Sequence, residues 1–169
     1  VGGMTWKGVA RNYHPNWAGW KIVDEESIWK DFPARLKNNS ELENLVRTFY
    51  KANFWDVWLG DGFTSQALAD EMFDTGVNMG VSRAVSFLQE GLNLLNRNQI
   101  IYKDLVVDGK FGNATKTTLD LFMKTNQIDF LLKIMNVLQG MHYIEYMRKS
   151  PVQEKFARSW FSRVEFTKS

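Results

Sequence analysis

Apolar positions recur at helical spacing along most of this 169-residue chain. The clearest case is the stretch 67–89. Leu68, Met72 and Phe73 give a first helix an inward face. Val81, Ala84, Val85, Leu88 and Leu92 fall at i, i+3, i+4, i+7 and i+11, which is one buried stripe on a second helix. Asp74-Thr75-Gly76-Val77-Asn78-Met79-Gly80 stands between them and predicts a tight bend, since its two glycines reach backbone angles closed to other residues. The chain is therefore expected to fold around a helical hairpin here.

The same reading extends outward. Trp6, Val9, Ala10 and Tyr13 sit at i, i+3, i+4 and i+7 and predict a short helix, closed by His14-Pro15 because the residue before Pro avoids the α region. A mixed-charge segment predicts a helix over 24–32. Ser40 followed by Glu43 forms a capping box, so a helix is expected from Glu41, with Leu42, Leu45, Val46, Phe49, Tyr50 and Phe54 on one stripe. Gly60-Asp61-Gly62 reads as a turn, as Gly2-Gly3 reads as a flexible start. Asn96–Lys103 is polar and reads as a loop. Leu105–Thr115, with Asp108-Gly109 and Gly112, predicts a turn leading into a helix that carries Leu119 and Phe122. A long helix over Phe130–Lys149 is expected to turn Leu131, Ile134, Leu138, Met141 and Tyr146 inward. Ser150-Pro151 breaks it, and Phe156, Trp160, Phe161 and Val164 predict a last amphipathic helix. Alternating strand-like segments are scarce. The expected class is mainly α, with about seven or eight helices and little or no sheet.

Composition narrows the chemistry. Hydrophobic residues make up 44% and charged residues 24%, which is globular rather than disordered. Aromatics reach 14%, with seven Trp and five Tyr, more than a small helical core needs. A net charge of +2 gives no footprint for nucleic acid, so none is expected as a partner. The absence of cysteine excludes disulfides and thiolate metal sites. His14 and His142 are far apart and show no ligand spacing, so neither a metal nor another cofactor is expected. No apolar run approaches the length of a membrane span, and no signal peptide is visible.

Five segments, in order, resemble the muramidases of glycoside hydrolase family 108, lysozymes of phages and bacteria that include endolysins and proteins described as secretion activators. Gly2-Gly3-Met4-Thr5-Trp6-Lys7-Gly8-Val9 is similar to that family's Gly-Gly-x-Thr-x-x-Gly-Ile. Phe49-Tyr50 with Phe54-Trp55-Asp56 resembles its Tyr-x-x-x-Tyr-Trp-Asp. Phe73-Asp74, Gly76-Val77-Asn78, Gly80, Ala84 and Phe87-Leu88-Gln89 resemble the start of its predicted peptidoglycan-binding region. Asp108-Gly109, Gly112 and Thr115 match an Asp-Gly-x-x-Gly-x-x-Thr turn. Phe156, Trp160 and Arg163 resemble its closing Phe-x-x-Gly-Trp-x-x-Arg, with Ser159 in place of the Gly.

The resemblance implies a lysozyme-like helical fold. It implies a muramidase part over 1–66 whose start is missing and a peptidoglycan-binding part over 67–169, packed as one compact unit. It implies hydrolysis of the β-1,4 bond between N-acetylmuramic acid and N-acetylglucosamine, an action on the cell wall. The family's catalytic Glu lies in a Glu-Gly-Gly segment upstream of the Gly-Gly-x-Thr stretch, so it is expected before Val1.

Glycoside cleavage needs one carboxylic acid to protonate the leaving oxygen and a second group to stabilise the cationic centre or to position water. Thr5 is the candidate for holding water, or it caps the helix expected after it. Asp74 is the candidate acid within the chain, or it accepts backbone hydrogen bonds at the bend. Trp6, Tyr50 and Trp55 are candidate sugar-stacking rings, or core. Asn78 is a candidate for binding an N-acetyl group, or a helix cap. The competing readings are a non-catalytic peptidoglycan-binding protein and a secretion-related helical protein.

Overall fold

The computed structural model describes residues 3–58 and 62–164. Gly2 and Gly60-Asp61, where flexible glycine segments were expected, lie outside the described residues. The chain divides into two units, Val1–Asp56 and Val57–Ser169. Among the described residues it forms seven α-helices and one two-stranded sheet, the mainly α fold expected.

The first unit opens on a hairpin, β1 (Thr5–Trp6) and β2 (Val9–Ala10), where a helix was expected. Lys7 and Gly8 both have positive φ, 44° and 85°. That pair makes a two-residue primed turn, which matches the twist of adjoining strands. Thr5 pairs with Ala10 and Trp6 with Val9. The helical spacing of Trp6, Val9, Ala10 and Tyr13 was thus overridden by turn chemistry, and Thr5 caps no helix.

Helix α1 covers Gly19–Glu26, earlier than the expected 24–32. Gly19 is needed there, because a Cβ would lie 2.3 Å from the Trp17 ring. Helix α2 covers Ser40–Tyr50 and is capped by Asn39, whose side chain accepts from the Leu42 N–H. The cap therefore falls one residue before the expected Ser40. A π-helical turn, Lys51–Trp55, continues α2 and takes Phe54 off the α register. Phe54 then lies 5.6 Å from the Tyr50 ring and 6.3 Å from Phe49. Val9, Trp20, Val23, Leu36 and Leu42 form the core of this unit, with Trp6, Trp17, Phe49 and Tyr50 packed against it.

In the second unit, α3 covers Gln66–Met79 and α4 covers Val81–Leu95. The expected bend reduces to Gly80 alone, at φ 92°. Asp74 through Met79 stay helical, so Asp74 and Asn78 share a helix face instead of lining a loop. Ser65 caps α3 by accepting from the Leu68 N–H. Ala84, Val85, Leu88 and Leu92 are buried as the stripe predicted. Gly76 admits the Trp58 ring, which would meet a Cβ there at 2.6 Å.

Helix α5 covers Asn113–Met123 and α6 covers Ile128–Lys149. The inward face of α6 is Leu131, Met135, Asn136, Gln139, Gly140 and Tyr143. Met141 and Tyr146, expected inside, are exposed. The apolar residues of α6 run round most of the helix, so periodicity alone could not choose the face. After Pro151 the chain makes a 3-10 segment, Pro151–Phe156, and only a five-residue α7, Ala157–Phe161. The Tyr143 and Trp160 rings stack 5.0 Å apart. No helix among the described residues is long and apolar enough to cross a membrane.

Candidate functional site

Two groups of candidate residues emerge, one in each unit. In the first, the hairpin sets Thr5 in the exposed strand β1, its Oγ1 only 3.4 Å from the Gly3 carbonyl. Trp6 is half-buried against the core, and its indole N–H is buried without an acceptor among the described residues. Tyr50 donates from its hydroxyl to the Lys7 carbonyl at 2.8 Å. Partial burial of Tyr50 raises the pKa of its hydroxyl above the ordinary value. The ring therefore pins the hairpin turn from α2, and Gly8 is obligatory beneath it, since a Cβ would lie 2.1 Å from the Tyr50 hydroxyl oxygen. Trp55 is half-buried at the end of the π-helical turn. Arg11 holds Asp24 through two 2.6 Å bonds and lies 5.1 Å over the Trp20 ring. This pairing keeps the Asp24 carboxyl below its usual range.

The second group lies where α3 faces α6. Glu71 and Asp74, three residues apart on α3, meet Asn136 and Gln139, three apart on α6. Asn136 Nδ2 donates to Glu71 Oε2 at 2.9 Å, and Thr75 donates from its hydroxyl to Glu71 Oε1 at 3.1 Å. Gln139 Nε2 donates to Thr75 Oγ1 at 3.2 Å and lies 3.5 Å from Asp74 Oδ2. Arg163 pairs with Asp74 Oδ1 at 2.7 Å, and Asn78 Nδ2 reaches the same oxygen at 3.1 Å. Thr75, Asn136 and Gln139 are buried. Gln139 Oε1 and the Tyr143 hydroxyl, both buried, meet no partner among the described residues. Each such atom costs roughly 1–3 kcal/mol. Buried polar groups that carry this cost make the α3–α6 interface a candidate functional surface.

The ladder borders a cleft of about 420 Å³ lined by Asp70, Glu71, Asp74, Asn136, Ser162 and Arg163, among others. Asp74 does not accept backbone N–H groups at a bend. Every bond it makes here is a bond to an acceptor carboxylate, which suits charge stabilisation and not proton donation. Asn78 donates to the Asp74 carbonyl at 2.7 Å and caps no helix.

A third constellation is structural. Gln89, buried on α4, donates from Nε2 to Asp108 Oδ1, the Lys110 carbonyl and Thr115 Oγ1, and its Oε1 accepts from the Asp108 and Gly109 N–H groups. Asp108 also accepts from the Lys110 N–H, as the turn reading anticipated. These donors lower the Asp108 pKa below the ordinary carboxylate value, the Gln89 bond foremost. Gly109, at φ 69°, has no room for a Cβ, which would stand 2.2 Å from Ser82 Oγ.

Of the candidates named from the sequence, Thr5, Trp6, Tyr50 and Trp55 fall in the first group and Asp74 and Asn78 in the second. Sequence reasoning missed Glu71, Asn136 and Gln139. The available signal was polar residues at helical spacing on otherwise apolar faces, i and i+3 on both α3 and α6. Among the described residues, no group of three His, Cys, Asp or Glu side chains could hold a metal ion.

Residues 1–80 match the glycosyl hydrolase 108 family, and residues 83–165 match the predicted peptidoglycan domain. The two matches run nearly end to end along the chain. Comparison with curated proteins gives no match. The family boundary falls at Gly80, between α3 and α4. Helix α3 thus falls within the glycosyl hydrolase 108 match and within the second unit. The α3–α6 cleft is built from both family segments.

Proposed function

We propose that this protein is a peptidoglycan hydrolase of the lysozyme type, an N-acetylmuramidase that cleaves the β-1,4 bond between N-acetylmuramic acid and N-acetylglucosamine. The tandem of a glycosyl hydrolase 108 segment and a predicted peptidoglycan domain carries this reading. The proton donor is a glutamate upstream of Val1, following the family resemblance. Thr5 sits exposed on its strand and supplies a hydroxyl that can hold water. Asp74 serves as the charged partner that stabilises the developing cation, since its bonds to Arg163 and Asn78 address a carboxylate. Asn78 uses its Nδ2 on Asp74, and its amide oxygen faces the N–H of an N-acetyl group. Trp6, Tyr50 and Trp55 give partly buried rings that lie against sugar faces.

The test is digestion of purified murein by the product of the complete gene. Borohydride reduction of the digest should convert new reducing ends to muramitol. Reduced glucosaminitol instead would make the enzyme a glucosaminidase. Saturable co-sedimentation with murein and no new reducing ends would make it a binding protein. Thr5→Ala and Asp74→Asn should each lower kcat by about a hundredfold with the far-UV spectrum unchanged.

A further inference from the structure

Helix α6 carries a second apolar face, opposite the one that packs inward. Phe130, Ile134, Val137, Met141, Ile144 and Arg148 lie within about 80° of one another round the helix. Phe130 is 58% exposed, Met141 50%, Val137 43% and Ile144 37%. Ile134 is half-buried and Arg148 is exposed. The solvent face of a surface helix is normally polar, and a helix that is apolar all round is normally covered on every side. A contiguous exposed stripe of this kind marks an interaction surface.

The spacing points to the partner. The intervals along the stripe are 4, 3, 4, 3 and 4, the alternation of a coiled-coil seam. That order reads the same from either end. The stripe is therefore its own complement when a second copy runs antiparallel to it. A two-fold axis level with Gln139 sets Val137 opposite Met141, Ile134 opposite Ile144 and Phe130 opposite Arg148 of the other copy.

The helix ends choose the direction. The first turn carries Asp129 and the last turn Arg148 and Lys149. None of the three makes an ion pair among the described residues. Antiparallel pairing sets the acid of one copy near the bases of the other at both ends of the seam, and it opposes the two helix dipoles. Parallel pairing would set like charge beside like. Phe130 already receives a cation within its own chain, with Lys133 Nζ 5.7 Å from the ring centroid. The ring keeps exposed surface for Arg148 of a second copy.

We propose that α6 is the interface of a homodimer, formed by antiparallel packing of this stripe against the same stripe of a second copy. The inference does not depend on the peptidoglycan reading. Four exposed apolar side chains per copy make a small interface by the standard of roughly 1,200–2,000 Å² for stable complexes. The dimer is therefore expected to form at about 100 μM and to dissociate at about 1 μM.

The test is sedimentation equilibrium of the full chain at rising concentration. The average mass should climb from 19.7 kDa toward twice that value. Val137→Glu puts a charge at the middle of the seam and leaves the inward face untouched. It should raise the dissociation constant about a hundredfold or more, with the far-UV spectrum and Tm unchanged. Asp129→Lys should weaken association about fivefold. The chain has no cysteine, so single introduced thiols report the orientation. Val137→Cys, close to the two-fold axis, should be joined to its mate by a short bismaleimide. Lys149→Cys, about 30 Å along the helix from its mate, should not. A monomer at every concentration up to about 1 mM overturns the inference. So does a dimer that survives Val137→Glu, or one that cross-links as readily through Lys149→Cys as through Val137→Cys.

Discussion

The two units solve the problem of burial differently. Every fully buried side chain described in the first unit is apolar, around Val9, Trp20, Val23, Leu36, Leu42 and Val46. Its polar groups interact at the surface, in pairs such as Arg11 with Asp24, Arg35 with Glu26 and Lys7 with Glu43. The second unit buries Thr75, Gln89, Asn96, Thr115, Thr118, Asn136 and Gln139. Its helices are joined by hydrogen bonds as well as by apolar stripes. An apolar core tolerates substitution as long as volume and pattern are kept. A buried polar network does not, because removing one partner strands the others. The second unit is therefore where single polar substitutions should be severe, and it is also where the polar cleft lies.

The strongest test of that contrast is Gln89→Leu. It leaves the Gly109 N–H without its acceptor and removes the amide that Asp108 Oδ1 and Thr115 Oγ1 accept from, and should cost about 3 kcal/mol. Hydrogen exchange should accelerate through α4 and α5 and stay unchanged in α1 and α2. An equal acceleration in both units would mean that the network is not the local determinant it is taken to be. Gly8→Ala is the counterpart in the first unit. It combines a positive φ with a clash against the Tyr50 hydroxyl, and should cost about 2 kcal/mol, read from the denaturation midpoint. Tyr50→Phe should relieve most of that clash in the double variant, so the two effects should be less than additive.

A smaller effect separates two readings of one helix start. Asn39→Ala should destabilise α2 by about 1 kcal/mol, whereas Ser40→Ala should change little, because Asn39 and not Ser40 accepts from the helix N–H. The reverse order would restore the capping box. The least effect is expected from pH. Asp24 and Asp108 both have folded pKa values below the ordinary 3.8. Each therefore contributes stability that is present above that value and is lost as pH falls through the folded pKa. Asp24 depends first on the Arg11 hydrogen bond and Asp108 first on a neutral amide. Asp24→Asn should flatten the acid limb of unfolding in the first unit and Asp108→Asn in the second, followed by residue-resolved exchange below pH 4 (about the carboxylate value).

How much could be read in advance differs between the units for a physical reason. The stripe Val81, Ala84, Val85, Leu88 and Leu92 is long and singly amphipathic, and all of it but the half-buried Val81 is buried. The hairpin at Thr5–Ala10 is short, and four apolar residues fit a helix or a strand pair equally well. Lys7-Gly8 was the deciding signal, since only a turn places both at positive φ. At Asp74–Gly80 the opposite error occurred: two glycines and an amide read as a bend, yet packing on Trp58 holds Gly76 inside the helix. Of the candidate site residues, Asp74 and Asn78 lie four apart on one stretch of chain, and their contact is a local helical one. Their partners Gln139 and Arg163 lie far along the chain and could not be matched to them.

What the sequence alone determined is the mainly α class, the positions of most helices, and a family resemblance that both family matches bear out. Those follow from local periodicity, local turn chemistry and ordered motifs, all of which are written along one stretch of chain at a time. Tertiary structure alone decided which polar residues meet. The pairing of Glu71 with Asn136 and the capture of Asp74 by Arg163 depend on how α3, α6 and the chain's later segments pack. The free energy of a buried polar atom depends on partners that no local pattern encodes.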